Sequence, residues 1–498
     1  LSKKKGKCNK RSFNNKLLGV NTMAQRSLGW VQNPSDLNKL KDVVSIFVKG
    51  SEINQKLADK LIKELVEDEV LKKEMIEALT QEEIVIKYNL LKGKGAGGKL
   101  RKDAKCTGIV QAAIPSQSGR KYTDDWTADG FLRWAISIGF LDYNKKTDTC
   151  KISDLGKRYA LSKKDSKEEE DILIQAFLSY PPAVRILRLL KEQGHLTKFE
   201  LGKQLGGLGE AGFTSIPQDL YVQALETAPS NKRTKIRSNT EGSADKYARM
   251  ISGWLTKVGL VRRVSKKVTI NIEKIEHTAN IGHAYRITLK GIKELKRATG
   301  TSSVPRIPKI VYWEMLATKV KDRDYIRTRR AHIIECLVNK EKDIKEIKEY
   351  LKSKDMVESE ITIQDEIKVI EAIGLNLQKS RNKYSIKDTI IHLDIPREKS
   401  EKTYILELKD RLREELKYID HRYLGLIDLA YDGNASRDFE IQTIDLLTNE
   451  LDFKGMRLGE SRKPDGIIFY RKDGVIIDNK AYASGYELPI SQADEMIR

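Results

Sequence analysis

One spacing pattern occurs twice in the sequence and constrains the fold more than any other feature. The stretches WAISIGFLDY, from Trp134, and WLTKVGLVRR, from Trp254, share a tryptophan, four further residues, a glycine and two apolar positions. Each follows apolar residues at helical spacing and precedes a second strand-like segment, a Ser/Thr-x-x-Gly sequence and another helix. The order helix, glycine, hairpin, helix predicts a winged helix.

The two copies predict specific elements. In the first copy we expect a helix capped by Thr127 and ended by Gly139, followed by strands Phe140–Tyr143 and Thr149–Ile152. In the second copy a helix ends at Gly259, and strands follow around Leu260–Val264 and Ala284–Thr288.

Two further segments extend this pattern. A fainter third copy starts at Ala331 and continues through three helices to Gly374, with residues 375–386 as its wing. Residues 186–205 have the rhythm of a helix-turn-helix, in which Gly194 and the N-cap candidate Thr197 separate the two helices. Ordinary packing of α-helices is the simpler explanation of such segments, but their basic wings favour nucleic-acid binding.

Charge is distributed unevenly along the chain. The net charge is +21, yet residues 401–498 carry 15 Lys and Arg against 20 Asp and Glu, so the first 400 residues carry +26. A basic body joined to an acidic end is typical of a polyanion-binding region followed by a region that uses carboxylates and a metal. Residues 3–11 (KKKGKCNKR) are expected to form a basic tail that attracts phosphate nonspecifically.

Several function classes are excluded by what the sequence lacks. The four cysteines form no CxxC pair and the six histidines are scattered, so neither a zinc ribbon nor a disulfide framework is indicated. No run of 18 apolar residues and no signal peptide are present, which predicts a cytoplasmic protein with no membrane partner. The glycine-rich segment 91–101 lacks the GxxxxGK[ST] pattern and is therefore not a nucleotide-binding loop.

The most informative stretch for chemistry is SRKPDGIIFYRKDGVIIDNK, residues 461–480. It predicts strands Ile467–Tyr470 and Val475–Asn479 joined by a turn centred on Asp473-Gly474. Asp465 stands at the start of the first strand, and Asp478 and Lys480 project to one face near the end of the second. Two carboxylates and an ammonium at one corner of a sheet can bind a divalent metal and activate a water.

This combination, Pro-Asp followed by Asp-x-Lys, is the core of the PD-(D/E)xK nuclease arrangement. Cleavage of an anionic phosphodiester requires metal charge and a deprotonated water, so Asp465 and Asp478 are expected to bind Mg²⁺. Lys480 is expected to orient or deprotonate the water or to stabilise the transition state. Glu440 is a further candidate carboxylate on the preceding helix, in competition with Asp438 and Asp445. A turn at Asp465 and a structural Asp478–Lys480 pair remain the alternative.

The sequence resembles the FokI-type IIS restriction endonucleases from about residue 25 to residue 498. The resemblance is carried by the segments GWVQNP, DGFLRWA, HLTKFELG, DKYARMI, IVYWEMLAT, SRKPDG, DNKAY and LPISQADEM. It implies a multidomain, mainly α protein with small β-hairpins: three winged-helix-like DNA-recognition subdomains followed by an α/β PD-(D/E)xK nuclease domain, here apparently truncated. It also implies recognition of GGATG in duplex DNA, cleavage at a fixed offset, and transient pairing of two nuclease domains.

Residue by residue, the resemblance assigns roles to positions that match the family. The catalytic positions are Asp465, Asp478 and Lys480. The DNA-binding positions are Gln32, Asn33, Arg101, Gln117, Trp126, Glu241, Lys246 and Arg249. The dimer contacts are Asp494 and Arg498. Two departures stand out: Thr240 replaces a family tryptophan, and the hairpin between Asp465 and Asp478 is four residues shorter.

These inferences predict a domain order. We expect a basic tail (1–22), three recognition subdomains (23–165, 166–304 and 305–387), a linker (388–402) and a nuclease domain (403–498) that is incomplete at its C-terminus. The expected activity is that of a Mg²⁺-dependent type IIS endonuclease of the bacterial cytoplasm. A winged-helix DNA-binding regulator without catalysis and a strand-nicking relative remain alternatives.

Overall fold

The computed structural model describes most of the chain between residues 28 and 482. The described residues are 28–31, 34–95, 104–116, 119–206, 218–238, 246–272, 275–301, 303, 305–318, 322–398, 400–433, 435–458, 464–471 and 473–482.

The first recognition subdomain is helical with a small antiparallel sheet of order β1-β3-β2. Its elements are α1 Leu37–Ser45, α2 Glu52–Lys56, a π-helical turn Leu57–Leu61, α3 Ile62–Leu65, α4 Glu69–Thr80, β1 Ile86–Lys87, α5 Tyr88–Lys92, α6 Ile109–Ala113, α7 Asp125–Ser137, β2 Leu141–Asn144, β3 Thr149–Ile152 and α8 Asp154–Leu161. The predicted helix, hairpin and helix are therefore present. The predicted N-cap is wrong, because the carboxylate of Asp124 caps α7 and accepts a hydrogen bond from the Thr127 amide at 2.8 Å.

The second subdomain repeats this order with a longer hairpin. Its elements are α9 Lys167–Ser179, α10 Pro181–Gln193, β4 His195–Thr197, α11 Lys198–Gly202, α12 Gln218–Thr227, α13 Ser230–Ile236, α14 Lys246–Lys257, β5 Val261–Ile272, β6 Ile275–Ile287 and α15 Leu289–Thr299. Strands β5 and β6 are much longer than predicted, because Val268, Ala279 and Ile281 pack with Val222 of α12 in a second small core. Apolar contacts with α12 stabilise the pairing of β5 and β6 beyond the base of the wing.

The third subdomain and the C-terminal unit follow. The third contains β7 Lys309–Ile310, a 3₁₀ turn Trp313–Leu316, α16 Arg323–Leu337, α17 Ile344–Lys352, α18 Glu360–Ile373, β8 Leu377–Ser380, β9 Lys383–Ile386 and β10 Ile390–Ile391. The C-terminal unit contains α19 Tyr404–Glu415, a 3₁₀ turn His421–Gly425, α20 Leu426–Ala430, α21 Ser436–Asn449, β11 Lys454–Arg457, β12 Gly466–Tyr470 and β13 Asp473–Ile477. The predicted third wing corresponds to β8 and β9. Strand β10, within the segment predicted to be a linker, pairs in parallel with β7.

Equivalent glycines end the equivalent helices of the first two subdomains. Gly139 has a φ of +80° and Gly259 a φ of +71°, a left-handed conformation that side-chain-bearing residues rarely adopt. In both copies the chain turns at this glycine directly into the hairpin. The shared glycine of the sequence pattern is thus explained by backbone geometry.

The shared tryptophans lie against each other. The rings of Trp134 and Trp254 stack with centroids 4.7 Å apart, and Phe177 packs 6.4 Å and 6.0 Å from them. Both indoles are fully buried within a core that runs continuously from Leu28 to Leu406. The first two subdomains are therefore joined through the apolar core itself.

None of the helices in the described ranges has the length and apolarity needed to cross a lipid bilayer.

We expect the Trp254→Ala substitution to lower the free energy of unfolding by about 3–5 kcal/mol, because it removes a fully buried indole and leaves a cavity. Trp126→Ala is the matched control, since 46% of that side chain is exposed and its loss should change stability little. Urea unfolding monitored by circular dichroism measures both. Equal effects in the two variants would contradict the proposed importance of the stack.

Candidate functional site

The C-terminal hairpin forms with a different turn from the predicted one. Strands β12 and β13 pair antiparallel with Tyr470 opposite Asp473 and Phe469 opposite Gly474. Asp473 and Gly474 therefore belong to the strand, and the chain reverses before them, where Arg471 has a φ of +58°. A Cβ atom added to Gly474 would lie 3.2 Å from the Phe469 ring, so this ring packs closely against the glycine. The predicted turn centred on Asp473-Gly474 is wrong.

Helix α21 packs against the face of this sheet next to Asp465. A Cβ on Gly466, the first residue of β12, would lie 2.4 Å from Cδ1 of Ile444 on the helix. Only glycine permits this approach without displacement of Ile444. The contact fixes the distance between the helix and the sheet. It thereby also fixes the position of Glu440, one helical turn before Ile444, relative to Asp465.

The structure brings the three predicted catalytic residues together. The carboxylate of Asp465 accepts a hydrogen bond at 2.5 Å from the backbone amide of Asn479, the residue between Asp478 and Lys480. The Lys480 ammonium lies 2.7 Å from Oδ1 of Asp478. The carbonyl of Asp465 also accepts a hydrogen bond from the Leu458 amide, which ties the corner to β11.

Electrostatics at this corner point to a third carboxylate. Burial raises the pKa of Asp465, and the carboxylates of Glu440 and Asp478 act in the same direction, opposed by the Asn479 amide and by Lys480. Of the three carboxylates that compete for a place on α21, Glu440 is the one whose charge acts on Asp465. Its Oε2 is held 2.9 Å from Nη2 of Arg457 on β11.

The competing Asp445 faces another part of the protein. Burial raises the pKa of Asp445, and the charges of Lys203 and Asp219 in the second recognition subdomain act on it. It therefore lies on the side of α21 that faces the recognition half, away from Asp465.

Oxygen ligands dominate the corner and suit a hard divalent cation. Asp465 and Asp478 supply carboxylates without histidine or cysteine, a donor set that matches Mg²⁺ better than zinc. No cluster of three or more His, Cys, Asp or Glu with metal-binding geometry occurs among the residues that the structure describes. A metal bound by the two aspartates would complete its shell with water and phosphate oxygens, as Mg²⁺ usually does.

The predicted DNA-contacting residues are placed in part. Trp126 lies in the first turn of α7 and is about half exposed. Lys246 and Arg249 are spaced i, i+3 in the first turn of α14 and so share one face of that helix. Nε of Arg249 is buried and has no hydrogen-bond partner in the described part of the chain.

The other predicted contacts lie outside the described residues. These are Gln32, Asn33, Arg101, Gln117 and Glu241, and the dimer residues Asp494 and Arg498. The residues on both sides of Gln32-Asn33 are anchored, because Trp30 donates its indole N–H to the Met315 carbonyl and Trp254 donates its own to the Pro34 carbonyl, both at 2.8 Å.

A polar junction joins the third recognition subdomain to the C-terminal unit. The carboxylate of Asp322 accepts hydrogen bonds from the amide and the hydroxyl of Thr403, the N-cap of α19, at 3.0 and 2.8 Å. Lys402 lies 3.1 Å from Glu358 of the third subdomain and 2.8 Å from Asp410 of α19. Asp365 of α18 pairs with His421 at 2.6 Å and lies 3.6 Å from Arg413.

Buried arginines stand behind this junction. Arg329 is fully buried and pairs with Glu358 at 3.0 Å, with Glu366, and with Asp410 across the junction at 3.9 Å. Arg330 also pairs with Glu366. Burial alone would raise the pKa of Glu366, but the two guanidiniums lower it to about 2. Sequence reasoning missed this network, although three arginines inside the apolar pattern of α16 (RTRRAHII) are a signal for buried ion pairs.

Comparisons with known proteins agree with this architecture. Four family models match consecutive parts of the chain: the FokI recognition domain subdomain 1 (residues 26–162) and subdomain 2 (169–303), the FokI D3 domain (316–382) and the FokI cleavage domain (402–498).

Two curated proteins are similar over most of their length. The type II restriction enzyme FokI of Planomicrobium okeanokoites is 42% identical over 484 residues, which are 95% of this chain and 83% of FokI. The type II restriction enzyme StsI of Streptococcus sanguinis is 33% identical over 483 residues, which are 93% of this chain and 79% of StsI. StsI is thus a relative, and FokI shares more residues with this chain.

Solved structures of restriction endonuclease FokI, alone and bound to DNA, superpose on this protein with a TM-score of 0.88 at 42% and 41% identity. Each match covers 95% of this chain and 83% of the solved chain. The comparisons confirm the predicted family and the order of recognition subdomains followed by a cleavage domain.

The buried network predicts a loss of stability in acid. Glu366 has a folded-state pKa of about 2, below its ordinary value of 4.5, so its stabilisation is fully present above pH 4.5 and is lost as the pH falls towards 2. Glu366→Gln should be less stable than the wild type at pH 6 and should show a flatter dependence of stability on pH. Urea unfolding between pH 2.5 and 6 measures this difference.

Glu360→Gln, which changes an exposed carboxylate on the same helix, is the control and should keep the pH dependence of the wild type. If the unfolding free energy of the Glu366→Gln variant depended on pH as steeply as that of the wild type, the network would not depend on the charge of this residue.

Proposed function

The chain belongs to the FokI family of type II restriction enzymes, and from this premise we propose that it is a type IIS endonuclease that reads a short asymmetric duplex site and cuts both strands at a fixed offset. As a member of the family it is a site-specific deoxyribonuclease. The proposed recognition sequence is GGATG. The observation that carries the proposed catalytic centre is the convergence of Asp465, Asp478 and Lys480 at one corner of a sheet.

Site recognition is assigned to the first two recognition subdomains. The proposed DNA contacts are Gln32, Asn33, Arg101, Gln117, Trp126, Glu241, Lys246 and Arg249. Arginine and amide side chains suit this role because they can make paired hydrogen bonds to guanine and adenine in the major groove. Lys246 is exposed in the first turn of α14, and the buried, unpartnered Nε of Arg249 lies on the same face of that helix.

Asp465 and Asp478 are proposed to bind Mg²⁺. Bound there, Mg²⁺ would supply positive charge to the scissile phosphate and lower the pKa of a water. Asp465 is held for this role by the Asn479 amide, which fixes the carboxylate at the corner. Glu440 adds negative charge on the helix side, and its ion pair with Arg457 keeps it in a defined position.

Lys480 is proposed to act on the attacking water and on the phosphate. A lysine ammonium has three N–H donors, so beside its contact with Asp478 it can donate to the water or to a phosphate oxygen. Charge that develops on phosphorus-bound oxygens in the transition state is stabilised by such a fixed cation. Asp478, which like Lys480 follows the end of β13 at Ile477, orients the ammonium through their contact at 2.7 Å.

Cleavage of both strands is proposed to require two copies of the protein. Each C-terminal unit contains one corner, and one corner can attack one strand at a time. We propose a transient homodimer through Asp494 and Arg498, and action in the bacterial cytoplasm, where the duplex substrate is found.

In the proposed mechanism, Asp478→Ala strongly impairs cleavage and leaves duplex binding intact, because it removes a metal ligand of the C-terminal unit and none of the proposed DNA contacts. Cleavage of a plasmid with one GGATG site in Mg²⁺ buffer measures the first effect, and a gel-shift assay without Mg²⁺ measures the second. We expect a loss of about 10²- to 10³-fold in cleavage rate, the scale seen when an electrostatic catalytic group is removed.

Asp473→Ala is the matched control, since Asp473 is an exposed carboxylate of the same hairpin on the opposite end from the corner. It should cut like the wild type. Full cutting by Asp478→Ala would disprove the assigned centre. Wild-type protein that binds but never cuts would instead indicate a regulator, and cutting of a single strand at all enzyme concentrations would indicate a nicking enzyme.

A further inference from the structure

Three cationic side chains form one row across the sheet of the second recognition subdomain. The strand order is β4-β6-β5, and the pairing places His195 opposite Arg286 and Arg286 opposite Arg262. Residues directly opposite in antiparallel strands project to the same face, with Cβ atoms about 5 Å apart. His195, Arg286 and Arg262, here called the cationic row, therefore present their side chains side by side.

The two arginines of the cationic row are exposed and uncompensated. Within the described part of the chain, neither Arg262 nor Arg286 has a side-chain hydrogen bond or an ion pair. The nearest carboxylate to act on His195 is that of Glu200, and it is already engaged by Lys266 at 2.8 Å. The arginines of the buried network and of the junction form ion pairs with carboxylates. Two neighbouring arginines without an ion pair are therefore a distinctive feature.

The histidine adds a second observation. Nε2 of His195 is buried and has no hydrogen-bond partner in the described part of the chain. Buried polar atoms are nearly always satisfied by a partner. Burial lowers the pKa of His195, and the charges of Lys266, Arg286 and Arg262 act in the same direction, opposed by Glu200.

Such an arrangement costs stability in the free protein. Like charges directly opposite each other on a sheet repel, whereas an opposite charge between them would remove the repulsion. An anion is therefore the ligand that the cationic row favours. Guanidinium groups bind phosphate oxygens through two parallel N–H donors, which makes phosphate a better match than a single carboxylate.

The cationic row lies within reach of a duplex held by α14. Lys246 and Arg249 occupy the first turn of this helix, and the chain passes from its end through Gly259 into β5. A helix of 12 residues is about 18 Å long, so the cationic row, just beyond the C-terminal end of α14, lies about that far from Lys246 and Arg249. A duplex whose bases meet the first turn of α14 would contact the row with its flanking backbone.

We propose that the cationic row of His195, Arg286 and Arg262 binds the phosphodiester backbone of DNA next to the recognition sequence. This proposal rests on the proposed function, since it requires a duplex bound by the second recognition subdomain. The contact carries no base specificity, because backbone contacts fix the position and register of a protein on DNA rather than its choice of sequence. It would hold the duplex against the wing while the first turn of α14 reads bases.

The test uses the full chain with Arg262→Gln and Arg286→Gln combined, and measures duplex binding by fluorescence anisotropy without Mg²⁺ at several KCl concentrations. Two duplexes are compared, one with GGATG and one without. Loss of two phosphate contacts should weaken binding to both duplexes by a similar factor, roughly 3- to 30-fold at low salt. The slope of log affinity against log salt should become shallower by about 1 to 2, because each contact contributes about 0.9.

The control variant combines Lys345→Gln and Lys352→Gln, which removes the same charge from exposed positions of α17 in the third subdomain. It should keep the wild-type slope. Thermal melting provides a folding check, and the Arg262→Gln, Arg286→Gln variant should melt at the wild-type temperature or above it, since a repulsion has been removed. A slope identical to that of the control variant would overturn the proposal.

Hydroxyl-radical footprinting separates this proposal from the proposed function. The variant should lose protection at backbone positions flanking the site and keep protection within it. Retained flanking protection would assign that contact to other residues and overturn the proposal. Absence of any footprint with the wild-type protein would instead reject the proposed recognition of duplex DNA.

Discussion

The stacked indoles of Trp134 and Trp254 are the contact on which the recognition half depends. They occupy equivalent positions in two copies of one sequence pattern, and the tryptophan of each copy packs against that of the other copy. The same Trp254 also donates its indole N–H to Pro34, so the segment that contains Gln32 and Asn33 is anchored to this shared core at its C-terminal side. Two subdomains and one short N-terminal segment are thus positioned by a single buried contact, and the geometry of the proposed DNA-reading surface follows from it.

The two junctions of the molecule have different physical character. The recognition subdomains share one apolar core, whose stabilising effect grows with the apolar area removed from water. The C-terminal unit meets the third subdomain mainly through ion pairs and hydrogen bonds, among them Asp322–Thr403, Asp365–His421 and Lys402–Glu358. These pairs are largely buried, since the side chain of Glu358 is fully buried and that of Asp365 nearly so, and salt therefore screens them less than pairs on the surface. The same chain thus contains one junction held by apolar burial and one held by buried charge pairs, which would leave unpaired charges if they were broken.

Local periodicity made most of the fold predictable, and distant pairing explains what was missed. The helix-hairpin-helix order follows from helical and strand periodicity, and the grouping of Asp465, Asp478 and Lys480 follows from one short hairpin, both of which a single sequence displays. The N-cap at Asp124 and the turn before Asp473 were missed because several nearby residues can fill each role. The extended ribbon of β5 and β6, the Arg329 network and the cationic row depend on partners far along the chain, and no local pattern specifies those partners.

The pairing of β10 with β7 shortens the connection to the C-terminal unit. Ile390 and Ile391 are fixed to the third subdomain, so twelve residues, 392–403, lie between this strand and α19. Fully extended, twelve residues span at most about 43 Å. That length equals roughly a dozen base-pair steps of duplex at 3.4 Å each. The pairing of this two-residue strand therefore sets an upper limit on the distance between its anchor in the third subdomain and the start of α19.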